Sequence, residues 1–359
     1  MLNQQIKSLA KIVLLNIPNL LYKFNYKIST QPSFLHRLSK HDRMIPKEIS
    51  GGTVNMAKHK VSMRDIAKEC NVSVATVSYV LNHSENEKIG HDTCLKITEA
   101  ATRLHYKPRD SVKKRKSNQV GVVINFKDND SAGKRMCYYD LASKISVRMK
   151  ELGFETLVME TKDPEKDMAA TSRHNFNAFF LIDIDDKIAD KITQNYYVPI
   201  LFLNCNIHDS LFCKIYPDYK DAIRKAKAML STNSPILVME DICNEDLKNQ
   251  IIGGFPPHDV FINTSSSSLR LFLQNHRQEK AIVLGDILGL ETELYINRQD
   301  LVVVSNLDET NLLLPDTKRI YFPNRKVADI AVQTLQKMFS LDYGKAGEEN
   351  RILVSCELD

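Results

Sequence analysis

The sequence predicts two unlike parts: an all-α unit of three short helices, and behind it an α/β body of two lobes. Three observations carry this. Apolar residues recur at helical spacing between Val61 and Pro108, and aliphatic runs alternate with amphipathic stretches from Val120 onward. Charge also divides along the chain. Residues 1–55 carry a net +6, residues 56–117 another +6, and residues 118–359 a net −7. A basic first third on an acidic body suits a polyanion partner at one end.

The first helix opens at Ser62-Met63-Arg64-Asp65, the form of a capping box, with an acidic side chain three residues after the cap. Met63, Ile66, Ala67 and Cys70 then share one face. Asn71-Val72-Ser73 makes a short turn, and Ser73 is placed to cap a second helix over Val74–Asn82. Val77, Val80 and Leu81 are its core side, while Ala75, Ser78 and Tyr79 lie opposite. A third helix is expected from about His91 to His105, with Leu95, Ile97, Ala101 and Leu104 inward. Three such helices around a small core, the second entered by a tight turn, define a helix–turn–helix unit.

In the body, Val120–Phe126, Thr156–Glu160, Ala178–Ile184, Pro199–Asn204, Pro235–Met239, Ala281–Leu284 and Leu301–Val304 read as strands. Lys134–Leu152, Tyr219–Leu230, Leu269–Asn275 and Val327–Phe339 read as helices between them. A βαβα rhythm implies open, mostly parallel sheets covered by helices, and about 240 residues give two of them.

Several function classes are excluded by absence of their signatures. The seven cysteines are scattered without CxxC spacing, so neither a zinc site nor a redox motif is expected. No phosphate-cradling glycine loop, HExxH or GxSxG occurs, so no catalytic constellation, metal or cofactor is expected. The apolar stretch Leu9–Leu21 is interrupted by Asn16, Pro18 and Asn19 and is shorter than the roughly 20 residues of a membrane span. It reads as neither a span nor a signal peptide. Residues 1–55 lack strong periodicity and end near Gly51-Gly52, three codons before Met56. They read either as a disordered extension or as upstream sequence preceding a translation start at Met56.

Val61-Ser62-Met63-Arg64-Asp65-Ile66-Ala67, then Val72-Ser73-Val74-Ala75-Thr76-Val77-Ser78-Tyr79-Val80-Leu81-Asn82, and then Thr93, Ala100-Ala101, Leu104, Tyr106 and Pro108 resemble the headpiece of the LacI (lactose repressor) family. The resemblance implies a helix–turn–helix DNA-binding domain over 56–108, a hinge over 109–118, and a periplasmic-binding-protein-like effector and dimerisation domain over 119–359. It implies a cytoplasmic homodimer acting as a repressor at a palindromic double-stranded DNA operator, without a membrane partner. It places base reading on Val74, Ala75 and Tyr79, with Ser62, Ser73, Thr76, Ser78 and Asn82 as phosphate contacts. Many members carry Arg where this chain has Tyr79, so a single hydrogen bond or a thymine-methyl contact is expected in place of a bidentate one.

Two departures from the family pattern stand out. The hinge, Arg109 to Asn118, lacks the Leu that wedges into the minor groove in relatives. It keeps a basic run, and Lys113, Lys114, Arg115 and Lys116 are expected on phosphates. In the body, positions that would hold a sugar-like effector have drifted. Asp218-Tyr219, Ile251 before Gly254-Phe255, Gly285-Asp286 and Asn306-Leu307-Asp308-Glu309 stand where the family has fuller hydrogen-bonding sets. Asp218, Asp286 and Asp308 remain the effector candidates. The alternative is a body that has lost small-molecule sensing and acts through dimerisation or a partner protein.

Overall fold

The structure is a computed structural model that describes residues 61–82, 89–106, 118–171, 176–193, 198–209, 211–307, 312–340 and 350–358. The expected extension (1–55) and the basic hinge residues Lys113, Lys114, Arg115 and Lys116 lie outside them, as does Asp308.

Three helices form the headpiece: α1 (Met63–Cys70), α2 (Val74–Leu81) and α3 (His91–Arg103). Ile66, Val77 and Ile97, one from each helix, are fully buried. Each such aliphatic side chain contributes about 1.5–3 kcal/mol by leaving water, a large share for so small a unit. Ala67, Leu81, Ala100, Ala101 and Tyr106 complete the core, and Val80 and Leu104 pack against it half-buried. Leu95, expected inward, is not part of this cluster. It lies two residues, about 200° of helical rotation, from Ile97, so one face cannot hold both.

The body holds two sheets with one strand order. In lobe one β1 (Gln119–Asn125), β2 (Glu155–Thr161), β3 (Phe176–Ile182), β4 (Ile200–Leu203), β5 (Cys213–Pro217) and β11 (Arg351–Val354) are ordered β11-β5-β4-β3-β1-β2. In lobe two β6 (Ile236–Glu240), β7 (Val260–Asn263), β8 (Ala281–Leu284), β9 (Leu301–Ser305), β10 (Lys318–Tyr321) and β12 (Glu357–Leu358) repeat it as β12-β10-β9-β8-β6-β7. All pairings are parallel except β10 with β12. Fully buried runs such as Ile200–Leu203 and Ala281–Leu284 follow from sheets covered on both faces. Gly121 in β1 permits close packing, since a Cβ there would meet the Phe179 ring at 2.4 Å.

The helices are α4 (Ala132–Glu151), α5 (Pro164–Thr171) and α6 (Asp186–Thr193), then α7 (Tyr219–Leu230), α8 (Glu245–Ile252), α9 (Leu269–Asn275), α10 (Asp286–Thr292) and α11 (Asn324–Phe339). Three chain crossings join the lobes: β5 into α7, β10 into α11, and β11 into β12. They are stitched together, as the Asp218 N–H donates to the Val354 carbonyl at 2.9 Å and Asn324 Nδ2 to the Cys137 carbonyl at 2.9 Å.

Candidate DNA-reading helix and interlobe cleft

Local hydrogen bonds set the angle at which α2 is presented. The Asp65 carboxylate accepts from both the N–H and the hydroxyl of Ser62, each at 2.7 Å. Asn71 ends α1 in the left-handed region, φ 55°, a conformation that Asn tolerates better than most residues. Ser73 Oγ accepts from the Thr76 N–H at 2.9 Å and also meets the Thr76 hydroxyl at 2.8 Å. At the other end Asn82 Nδ2 donates to the Ser78 carbonyl and hydroxyl. Both ends of α2 are thus fastened by four of the side chains expected on phosphates, and Ser62 holds the start of α1.

Opposite buried Val77 and Leu81, Ala75 and Tyr79 emerge exposed on one face, while Val74, on the stripe of Leu81, is exposed at the N-terminal end of the helix. Val74 is 42% and Tyr79 36% exposed. No acidic residue lies on α2. A helix of this size, free of carboxylates and bearing an aromatic hydroxyl, fits a major groove and its methyl and acceptor groups.

The interlobe cleft is built differently. Asp183 follows β3 in the left-handed region, φ 58°, and is fully buried. One carboxylate oxygen accepts from the N–H groups of Cys243 (2.8 Å) and Asn244 (3.3 Å), which open α8 in lobe two. The other faces Lys134 Nζ at 2.9 Å, and Lys134 also pairs with Asp130 at 3.1 Å. Burial opposes the charge on Lys134, but Asp183 and the other anionic neighbours outweigh it and hold the ammonium above its ordinary range. Further bonds span the cleft: Asn244 Nδ2 to the Ile184 carbonyl at 3.0 Å, the Asn206 N–H to Asn244 Oδ1 at 3.1 Å, Asn206 Nδ2 to Asp246, and Lys127 to Asp241 at 2.7 Å.

Behind these bonds lies a cavity of about 80 Å³ whose polar lining includes Tyr138, Asn204, Tyr219, Glu240, Asp286 and Asn324. At about 10–15 Å³ per enclosed water it has room for a handful. Asn204 donates to the Tyr138 hydroxyl at 2.6 Å and accepts from Tyr219 at 3.2 Å. Asp286 lines the cavity but is tied to the chain, accepting from the Ser305 hydroxyl and from the Asn306 N–H at 3.1 Å. Burial pushes its carboxyl upward despite those bonds, and does the same to Glu240. Asp218 caps α7 through the Asp221 N–H at 3.0 Å, while its neighbours Pro217 and Tyr219 line the cavity. Asp183, Asn206, Asp241 and Asn244 were not foreseen from sequence; no local pattern marks a pairing across sixty residues.

The geometry defines a class: a helix–turn–helix headpiece carried by a two-lobed α/β body. Residues 62–109 match the family of bacterial regulatory proteins of the lacI family, and the headpiece belongs to it. Catabolite control protein A of Staphylococcus aureus (strain Mu50) is 25% identical over 179 residues, 46% of this chain and 50% of that protein. The chain thus matches about half the length of that relative. The lac repressor dimer bound to operator and the anti-inducer ONPF superposes with a TM-score of 0.53 at 17% identity, covering 83% of this chain and 97% of that one. A periplasmic binding protein/LacI transcriptional regulator from Alkaliphilus metalliredigens, complexed with D-xylulofuranose, gives 0.50 at 13% identity, covering 68% and 97%. These likenesses establish the fold of the body as periplasmic-binding-protein-like. No described helix is long and apolar enough to cross a membrane.

Proposed function

We propose that this chain is a cytoplasmic transcription regulator that binds a palindromic DNA operator as a homodimer and acts as a repressor, without enzymatic activity. The observation carrying this reading is the exposure of Val74 at the start of α2 and of Ala75 and Tyr79 along the face opposite a LacI-family core. In this reading those three side chains meet base edges. Ser62, Ser73, Thr76, Ser78 and Asn82, with Lys113, Lys114, Arg115 and Lys116 of the hinge, meet phosphates. A headpiece of this size reads only a few base pairs, so selectivity needs two copies. Exposed Val147, Leu152, Leu157 and Val158 in lobe one, and Leu271, Leu294 and Tyr295 in lobe two, are apolar surface that a second subunit would cover.

The body is the regulatory half, with the interlobe cleft as its control point. A small sugar-like effector held by Asp218, Asp286 and Asp308 is one reading. Control without a small molecule is favoured by a specific observation: two of those carboxylates, Asp218 and Asp286, are already engaged by the chain itself. Genome-wide mapping of bound sites tests the proposal. Two-fold symmetric sites near promoters, with transcription rising when the gene is removed, are the expected result. Asymmetric sites would overturn the dimer, and no enrichment would overturn the regulator.

A further inference from the structure

The charges at the cleft do not balance until both lobes are counted. Lys134 supplies one positive charge to Asp130 and Asp183, leaving one negative charge in excess. That excess is met by the N–H groups of Cys243 and Asn244, where the aligned dipoles of α8 place partial positive charge. A buried carboxylate left without such partners is strongly disfavoured, so separating the lobes would strip Asp183 of half its support. The surrounding contacts act in the same direction. Asn244 Oδ1 caps α8 by accepting from the Leu247 N–H at 2.9 Å and also accepts from the Asn206 N–H of lobe one, while its Nδ2 donates to the Ile184 carbonyl of lobe one. Lys127 of lobe one and Lys248 of lobe two, at 2.7 and 2.9 Å, share Asp241 between them.

We infer that the body closes on itself without a ligand: Asp183, braced by Lys134 and seated on the N–H groups that open α8, is an internal clasp, and the closed state is the resting state. The inference rests on the reading of the body as the regulatory half and states how that half is set. An anionic metabolite reaches those N–H groups only by displacing Asp183. Lys134, Lys127 and Lys248, the lysines at the clasp, are all paired within the protein. A small molecule acting here therefore opens the lobes; it does not draw them together.

The test uses the full chain without DNA: small-angle scattering together with hydrogen exchange of the peptide spanning residues 241–247. The wild type should scatter as a closed body, with the Cys243 and Asn244 amides slow to exchange in plain buffer. Asp183→Ala should expand the scattering profile and raise exchange at those amides at least tenfold, with β1 and β6 still protected. Should that variant lose its fold, Lys127→Ala combined with Asn206→Ala removes outlying clasp bonds and should raise the same exchange several-fold. Fast exchange in the wild type, protection that appears only with glucose or glucose 6-phosphate, or a folded Asp183→Ala with unchanged scattering would each overturn the clasp. Loss of operator binding would count against the regulator and leave these readouts untouched.

Discussion

The headpiece and the cleft handle their functional groups in opposite ways. On α2 the core is made by Val77 and Leu81, and Val74, Ala75 and Tyr79 are exposed. In the cleft, Asp183, Lys134, Asn206 and Asn244 are buried and bonded to one another. An exposed contact face can be read as a surface awaiting a partner. A buried polar network paired within the protein already has its partner, and its worth lies in holding one arrangement of the lobes.

The largest effect that would sharpen this contrast is expected from Ile97→Ala. Deleting a fully buried Ile costs about 2–5 kcal/mol, enough to unfold a small headpiece. Calorimetry should show an early headpiece transition with the body's unchanged; a parallel drop in both would show the two regions to be coupled. Tyr79→Ala comes next. A bidentate base contact is worth about 1–3 kcal/mol, so loss of the single contact of Tyr79 should fall at the low end, roughly fivefold in operator affinity, with no change in melting temperature. Equal loss on non-specific DNA would move Tyr79 from reading bases to general attraction. Ser73→Ala removes the cap of α2 and should cost about 1 kcal/mol, visible as a lower headpiece melting temperature and a modest loss of operator affinity.

The smallest effect concerns pH at the cleft. Burial disfavours the Asp241 carboxylate, but Lys127 and Lys248 outweigh it and hold the group below its ordinary range. Its depressed value contributes stability above the unfolded value of about 3.9, and that stability is lost as pH falls through the lower folded value. The half-exposed Lys127 partner leaves the pair screened by solvent, which holds the effect to about 1 kcal/mol. Glu240 next to it is shifted upward by burial, so its cost sets in only as pH rises past about 4.3, a separate window. Asp241→Asn should lower stability by that amount at neutral pH and flatten the acid limb below about pH 4, so that the two profiles converge in acid.

Legibility followed the range of the interactions. The spans expected for Tyr219–Leu230, Leu269–Asn275 and Ala281–Leu284 agree with the observed elements residue for residue, because caps and periodicity are local. The strands β5, β7, β10, β11 and β12 were not read, being two to five residues long and defined by pairing partners far along the chain. The helices α5, α6, α8 and α10 were not read either. Among the effector candidates, Asp286 does line the cavity, yet its type could not reveal that Ser305 and Asn306 already hold it.

By itself the sequence determined the helix–turn–helix, its core apart from Leu95, and the outward placing of Ala75 and Tyr79, since Ser62, Ser73 and the apolar spacing act within a few residues of one another. It also determined the two-lobed α/β rhythm of the body. Tertiary structure alone decided what the cleft contains. Whether a carboxylate at position 183 awaits a ligand or grips the N–H groups of Cys243 and Asn244 depends on where two sheets meet. That meeting is fixed by packing and three chain crossings, and no local pattern encodes it.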